Sequence, residues 1–235
     1  MNNNYFIPKQ LDLNIKKKLS SLLQLPTNDV NYEMAGRNQI KLLLSFINWL
    51  KEHLLTKYNL KLSDMVLTET NSGFGGLTYL FQYYFKKINI VEIDDERLDF
   101  IKNNINIYRK YTDVKSTFRY YNDNYCILKD DLKLKQDIIF SDFPWGGPSY
   151  KKVQSLRLCI NDNLSTPFYL EDVILDLYTK NAFKFYVVLL PFNFDFDYFD
   201  KFALNNKIVY DIFKIPNIKE RLLVVINHNA LSKSK

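Results

Sequence analysis

A strand that stops at a carboxylate, a proline and a tryptophan can hold a flat ring beside a hydrogen-bond acceptor, and residues 137–150 read Asp-Ile-Ile-Phe-Ser-Asp-Phe-Pro-Trp-Gly-Gly-Pro-Ser-Tyr. Ile138, Ile139 and Phe140 have the character of a short buried strand, while Pro144, Gly146, Gly147 and Pro148 forbid a helix or a continued ladder directly afterwards. Asp142 and Trp145 are therefore expected on a stiff loop at a strand's carboxyl end, the edge at which open α/β sheets bind ligands. Trp145 supplies a π face for a planar base. Pro144 fixes the loop and, lacking an N–H, leaves carbonyl acceptors facing outward. An acceptor held beside a clamped ring, aligned with a reacting partner, lowers a barrier through position and electrostatics, so Asp142, Pro144 and Trp145 are the candidate catalytic residues. The same composition also suits an ordinary Pro/Gly-rich turn, and the rest of the chain has to separate the two readings.

A second constellation lies upstream. Glu69 closes an apolar run, and Gly73-Phe74-Gly75-Gly76 follows it, glycines that permit a tight turn and a close approach of backbone N–H groups to a ligand. About twenty residues further on, Val91-Glu92-Ile93-Asp94 ends a second apolar run and places carboxylates where the ribose hydroxyls of an adenosine cofactor would lie. Glu92 and Asp94 could equally serve the start of the next helix, where acids stabilise by about 0.3–1 kcal/mol. Neither the Lys-Ser/Thr of a Walker motif nor a G-x-G-x-x-G string is present, which disfavours a pyrophosphate-bearing cofactor.

Asp142-Phe143-Pro144-Trp145 resembles the motif of amino-methyltransferases, an acid, amide or Ser followed by Pro-Pro and an aromatic. The longer string Pro144–Tyr150 is similar to that of the trimethylguanosine synthases, which methylate the exocyclic N2 of an N7-methylated guanosine cap. The stretch Glu69 to Gly76 matches that family's acid, three residues and Gly-x-Gly-Gly, with Glu in place of the usual Asp. The resemblance covers about Asp64 to Phe194. It implies a class I methyltransferase fold, capped RNA as partner, and S-adenosylmethionine as cofactor, with S-adenosylhomocysteine as product and no metal. The cofactor would be held by Glu69, Gly73, Gly75, Gly76, Glu92 and Asp94, with Asp123 at the adenine amino group. Substrate contacts would come from Trp145, Asp142 and Asn193, the indole stacking on a cationic base with a cation–π gain of about 0.5–2 kcal/mol.

Three departures bear on these implications. Asp142 and Phe143 stand where the family usually has Ser and Pro, and Asp is typical of adenine-N6 and cytosine-N4 enzymes. Leu190-Pro191-Phe192-Asn193 replaces the family's Leu-Pro-Arg-Asn, so the missing arginine leaves Lys151, Lys152 or Arg37 to meet cap phosphates. Residues 1–60 match the family's N-terminal extension poorly. Two other readings stay open: a DNA or RNA adenine-N6 methyltransferase acting on a flipped or single-stranded base, and a catalytically inactive fold that binds RNA through Trp145 and surface lysines.

The elements that must position these groups follow from hydrophobic period. Residues 1–31 read as a polar arm or small helical cap with Leu19, Leu22, Leu23 and Leu25 as its apolar cluster, ended by Pro26. From about Glu33 to Lys57, Ile40, Leu43, Leu44, Ile47, Leu50 and Leu54 form the stripe of an amphipathic helix. Then strands and helices alternate: strand Met65–Glu69, helix Gly76–Phe85, strand Ile88–Ile93, helix Glu96–Tyr108, and strands Thr117–Tyr121, Asp137–Ser141 and Phe185–Leu190. Ile208–Ile215 and Leu222–Ile226, separated by Pro216 to Glu220, read as a C-terminal hairpin. The expected fold is α/β, a Rossmann-like, mostly parallel seven-stranded sheet with one antiparallel strand. Residues 61–235 form this domain and residues 1–60 an N-terminal arm and helical extension.

Composition agrees without deciding. The 235 residues are 47% apolar, enough to bury one full core. An excess of 32 Lys and Arg over 26 Asp and Glu, a net +6, suits a polyanionic partner, although the heavy use of Asn, Lys, Ile and Tyr resembles an AT-rich coding bias. Two cysteines without metal-ligand spacing exclude a disulfide scaffold and argue against structural zinc. Without a leader pattern or a membrane-length apolar run, the expectation is an intracellular protein, cytoplasmic or nuclear, with no membrane partner. A monomer is the default and oligomerisation is left open.

Overall fold

The computed structural model describes residues 12–24, 36–130, 134–161 and 167–232. The chain divides into two compact units, Met1–Leu128 and Lys129–Lys235.

In the first unit, helix α1 (Leu13–Leu22) begins where the Asp12 carboxylate accepts the N–H groups of Asn14 and Ile15. It buries Leu19, and Leu23 is buried just beyond its end, whereas Leu22 is 40% exposed. Leu25, Pro26 and the expected helix start at Glu33 lie outside the described residues. Helix α2 (Arg37–Tyr58) buries Leu43, Ile47, Leu50 and Leu54 of the expected stripe, leaves Ile40 and Leu44 half-buried, buries Leu42 and Phe46 as well, and ends at Asn59 in the left-handed conformation.

Strands β1 (Val66–Glu69), β2 (Lys87–Val91) and β3 (Thr117–Tyr121) pair in parallel in the order β3-β2-β1, with Val66 opposite Lys87 and Lys87 opposite Thr117. Helices α3 (Thr78–Phe81), α4 (Asp95–Tyr111) and α5 (Tyr125–Leu128) follow the three strands in turn. The helix expected over Gly76–Phe85 is only one α turn. Tyr83 and Tyr84 donate to the carbonyls three residues back, and the Gln82 side-chain amide donates to the Tyr79 carbonyl, so the segment tightens instead of propagating.

The second unit contains β4 (Ile138–Ser141), β5 (Cys159–Asn161), β6 (Phe168–Tyr169), helix α6 (Leu170–Thr179), β7 (Phe185–Leu190), helix α7 (Phe196–Asn205), β8 (Val209–Phe213), β9 (Arg221–Ile226) and α8 (His228–Ser232). Four strands run in the order β4-β7-β9-β8. β4 and β7 are parallel, and β9 is antiparallel to both β7 and β8, which is the predicted hairpin. All six residues of β7 are buried, as a strand covered on both faces requires. β5 and β6 form a separate antiparallel pair. The seven principal strands of the two units give the expected α/β fold, a mostly parallel seven-stranded sheet of the class I methyltransferase kind. Among the described residues no helix is long and apolar enough to cross a membrane.

Candidate functional site

The site residues of the first unit gather where the turns after β1, β2 and β3 are laced together. Glu69 ends β1 in a buried position, and its carboxylate accepts the Thr78 hydroxyl, fastening the strand end to the start of α3. Between them the turn passes through Gly73 and Gly75, both at positive φ (52° and 79°). The two glycines differ in what surrounds them. A Cβ at Gly75 would stand 2.9 Å from the Tyr79 ring and 3.0 Å from Ile101, so this backbone is pressed against the core. A Cβ at Gly73 would meet no atom within 4 Å, so this side of the turn is open to a ligand. Gly76 is buried behind the turn.

Glu92 binds the turn to the end of β2. One carboxylate oxygen accepts the Gly73 N–H at 2.7 Å and the other the Asp94 N–H at 3.1 Å. Burial raises the Glu92 pKa and these two donors pull it back. A carboxylate has about four lone-pair sites, so two remain for further donors. The Asn122 side chain donates to the Glu92 and Ile93 carbonyls at 3.1 and 2.9 Å, drawing the turn after β3 to the turn after β2. Asp123, in that turn, accepts the Asn124 N–H at 2.7 Å. Asp94 also caps α4, accepting the Arg97 N–H at 3.0 Å, with the Arg97 guanidinium 3.5 Å away.

Sequence reasoning missed four residues here. Ile93 and Ile127 are 67% and 68% exposed although apolar and large. The signal for Ile93 was its position directly after the strand-end acid, hidden because the residue was counted as part of the strand. Asn104 and Tyr79 were missed as well. Asn104 donates to the Tyr79 hydroxyl at 3.1 Å, and that hydroxyl donates to the Phe74 carbonyl at 3.1 Å, supporting the glycine turn from beneath.

In the second unit β4 is buried along its whole length and delivers Asp142 at its carboxyl end. Asp142 is partly buried, and among the described residues no hydrogen bond or ion pair reaches its carboxylate. Burial alone pushes its pKa up to about 7. Phe143, in the position of a motif proline, is buried and anchors the loop in the core, whereas Pro144 is exposed. Trp145 is half-buried, and its indole N–H is buried without an acceptor among the described residues. Tyr150 meets it edge to face, with ring centroids 5.1 Å apart and planes at 77°. Gly146 and Gly147 reverse the chain at φ 89° and 67°, and a single 3-10 segment, Gly147–Lys152, returns it.

Asn193 secures this loop. Its amide donates to the Tyr150 and Val153 carbonyls at 2.8 and 2.7 Å, and its own carbonyl accepts the Leu156 N–H at 2.8 Å. Among the described residues no donor reaches the buried side-chain oxygen of Asn193. Lys151 and Lys152 are exposed, and the Lys151 ammonium stands 5.9 Å from the Tyr150 ring centroid. Arg37 is the first residue of α2, in the other unit. The second unit thus presents a carboxyl without a partner among the described residues, a half-buried indole packed edge to face on Tyr150, and two cations on one loop, a set able to hold a flat ring and accept protons from an amine on it.

A family model described as RNA cap guanine-N2 methyltransferase matches residues 65–228 of the chain. An uncharacterized protein, L320, of Acanthamoeba polyphaga mimivirus is 40% identical over 142 residues, which is 59% of this chain and 51% of that protein. The chain therefore spans about half the length of this curated relative. Among solved structures, an rRNA methylase from Streptococcus thermophilus has a TM-score of 0.53 at 10% identity, covering 83% of this chain and 98% of that one. A human methyltransferase 10 domain containing protein has a TM-score of 0.52 at 11% identity, with 87% and 85% covered. At such identities these two likenesses concern the fold.

Proposed function

The chain belongs to the RNA cap guanine-N2 methyltransferase family, and from that premise we propose that it transfers methyl from S-adenosylmethionine to the exocyclic N2 of an N7-methylguanosine cap on RNA. The observation that carries the reading is the loop after β4, where the Asp142 carboxyl, buried without a partner among the described residues, and the half-buried Trp145 share one short segment.

The residues of the first unit fit an adenosine cofactor. Gly73 leaves space beside the turn, Glu92 keeps acceptor capacity for two ribose hydroxyls, and Asp123 is an acceptor suited to the adenine amino group. Ile93 and Ile127 are apolar surfaces for the adenine ring. Glu69 supports the turn from the strand end, and Asp94 serves chiefly the start of α4. When bound, the cofactor supplies a methyl group activated by its sulfonium and departs as the neutral thioether.

Trp145 stacks on the N7-methylated guanine, whose positive charge adds about 0.5–2 kcal/mol over a neutral base. Asp142 accepts an N–H of the exocyclic amine, which keeps the nitrogen lone pair available as the new bond forms, and passes the displaced proton to water. Only the ionised carboxylate can do so, and a pKa of about 7 places the ionisation in the working range. Lys151 and Lys152 are the cations on the same loop for cap phosphates. Residues 1–60 act as an extension of the methyltransferase domain.

Asp142 in place of Ser also favours a second reading, adenine-N6 methylation. The test is a mass-spectrometric assay with S-adenosylmethionine and three acceptors: an N7-methylated cap dinucleotide, its unmethylated counterpart, and adenine-containing single-stranded RNA or DNA. Added mass on the methylated cap alone supports cap-N2 transfer. Mass added to the adenine substrate moves the chain to the second reading, and no transfer at all favours an inactive RNA-binding subunit.

A further inference from the structure

Beyond Trp145, Tyr150 of this loop and Phe192, just after β7, form a second aromatic surface that cap recognition does not use. Phe192 is 42% exposed, and its ring centroid lies 6.4 Å from that of Tyr150, with planes inclined at 55°. The tilt prevents the two rings from covering each other's faces. Both rings have fixed backbones, because the Asn193 amide binds the Tyr150 and Val153 carbonyls and so joins the chain beside Phe192 to the chain at Tyr150. Each ring has its own cation: Lys151 at 5.9 Å from the Tyr150 centroid and Lys219 at 5.7 Å from the Phe192 centroid.

An exposed aromatic beside a half-buried one, on fixed backbones and flanked by lysines, suits single-stranded nucleic acid binding, where bases stack and ammonium groups meet the backbone. We propose that Phe192, supported by Tyr150, is a stacking platform for the nucleotide that follows the cap guanosine, with Lys219 and Lys151 contacting the phosphates that join the two. The inference rests on the cap reading above. A π face accepts any base, so the platform favours a following nucleotide without choosing its identity.

Equilibrium binding of two ligands to the full chain tests this: N7-methylguanosine triphosphate, which has no second base, and the cap dinucleotide ending in adenosine. The wild type is expected to bind the dinucleotide roughly 5- to 150-fold more tightly, the range of one base–aromatic stack. Phe192→Ala should collapse that ratio towards one, and Phe192→Tyr should restore it. Equal affinity of the wild type for both ligands, or an unchanged ratio in Phe192→Ala, overturns the platform while leaving the cap reading standing. Failure of both ligands to bind overturns the cap reading, and the platform with it.

Discussion

Replacing Asp142 by Asn keeps the shape of the side chain and removes its charge, and the effect on stability follows from the placement of the carboxyl. Burial lifts its pKa from the ordinary 3.8 to about 7. Between those values the folded chain holds a proton that the unfolded chain has released, so stability falls as pH rises across the window. The penalty is complete above about pH 7 and absent below about pH 4. From pH 5 to pH 8 the native carboxyl crosses about two pH units of that window, a ceiling of about 3 kcal/mol at about 1.4 kcal/mol per unit. Partial exposure and solvent screening reduce it to about 1–2 kcal/mol. Asp142→Asn avoids the penalty, so its melting temperature relative to wild type should be about 3–6 °C higher at pH 8 than at pH 5, given about 2–4 °C per kcal/mol for a chain of this size. Thermal melts of both proteins at the two pH values measure this, and other titrating groups cancel in the difference. A melting-temperature difference that does not change between pH 5 and pH 8 refutes a raised Asp142 pKa. In the same variant methyl transfer should fall strongly, because the amide cannot take the amine's proton.

Trp145→Ala should weaken cap binding by about 1–3 kcal/mol while leaving S-adenosylmethionine affinity within about twofold, read by calorimetry with each ligand. Loss of cofactor affinity would contradict the assignment. The two turn glycines should separate. Gly75→Ala adds a methyl 2.9 Å from Tyr79 at a φ of 79° and should cost about 2–4 kcal/mol of stability in a denaturant titration. Gly73→Ala, with open space beside it, should cost only about 1 kcal/mol from its positive φ and instead lower cofactor affinity; equal destabilisation of the two would overturn the distinction. Asn193→Ala leaves the Tyr150 and Val153 carbonyls without their donor and should lower kcat/KM for capped substrate with little change in cofactor affinity. An unchanged kcat/KM would remove Asn193 from loop positioning.

Local pattern alone determined much of this fold. Thr117–Tyr121 and Phe185–Leu190 are strands over the residues their composition predicts, because β-branched and aromatic runs bounded by turn residues have few other uses. The hairpin was equally legible, since five residues around Pro216 are too few for a crossover helix. The stripe Leu43, Ile47, Leu50, Leu54 placed α2, and Asp142 with Trp145 marked the loop after β4. Helices α6 and α7 are not among the expected elements, although Leu170, Val173, Ile174 and Leu177 are spaced as a helix face; at ten residues each they are less than half the length of α2 and repeat the stripe over few turns.

What each polar residue does was decided only by tertiary structure. Asn193 read as a substrate contact, yet its amide is spent on carbonyls 43 and 40 residues away. Gly73 and Gly75 are alike in sequence, and only the packing of Tyr79 and Ile101 makes one structural and leaves the other open. Asp142 acquires a pKa of about 7 from burial that no local pattern encodes. Secondary structure depends on neighbours a few residues apart, which a sequence displays. Hydrogen-bond partners, desolvation and the room beside a glycine depend on groups brought together across many residues, and they exist only once the chain has folded.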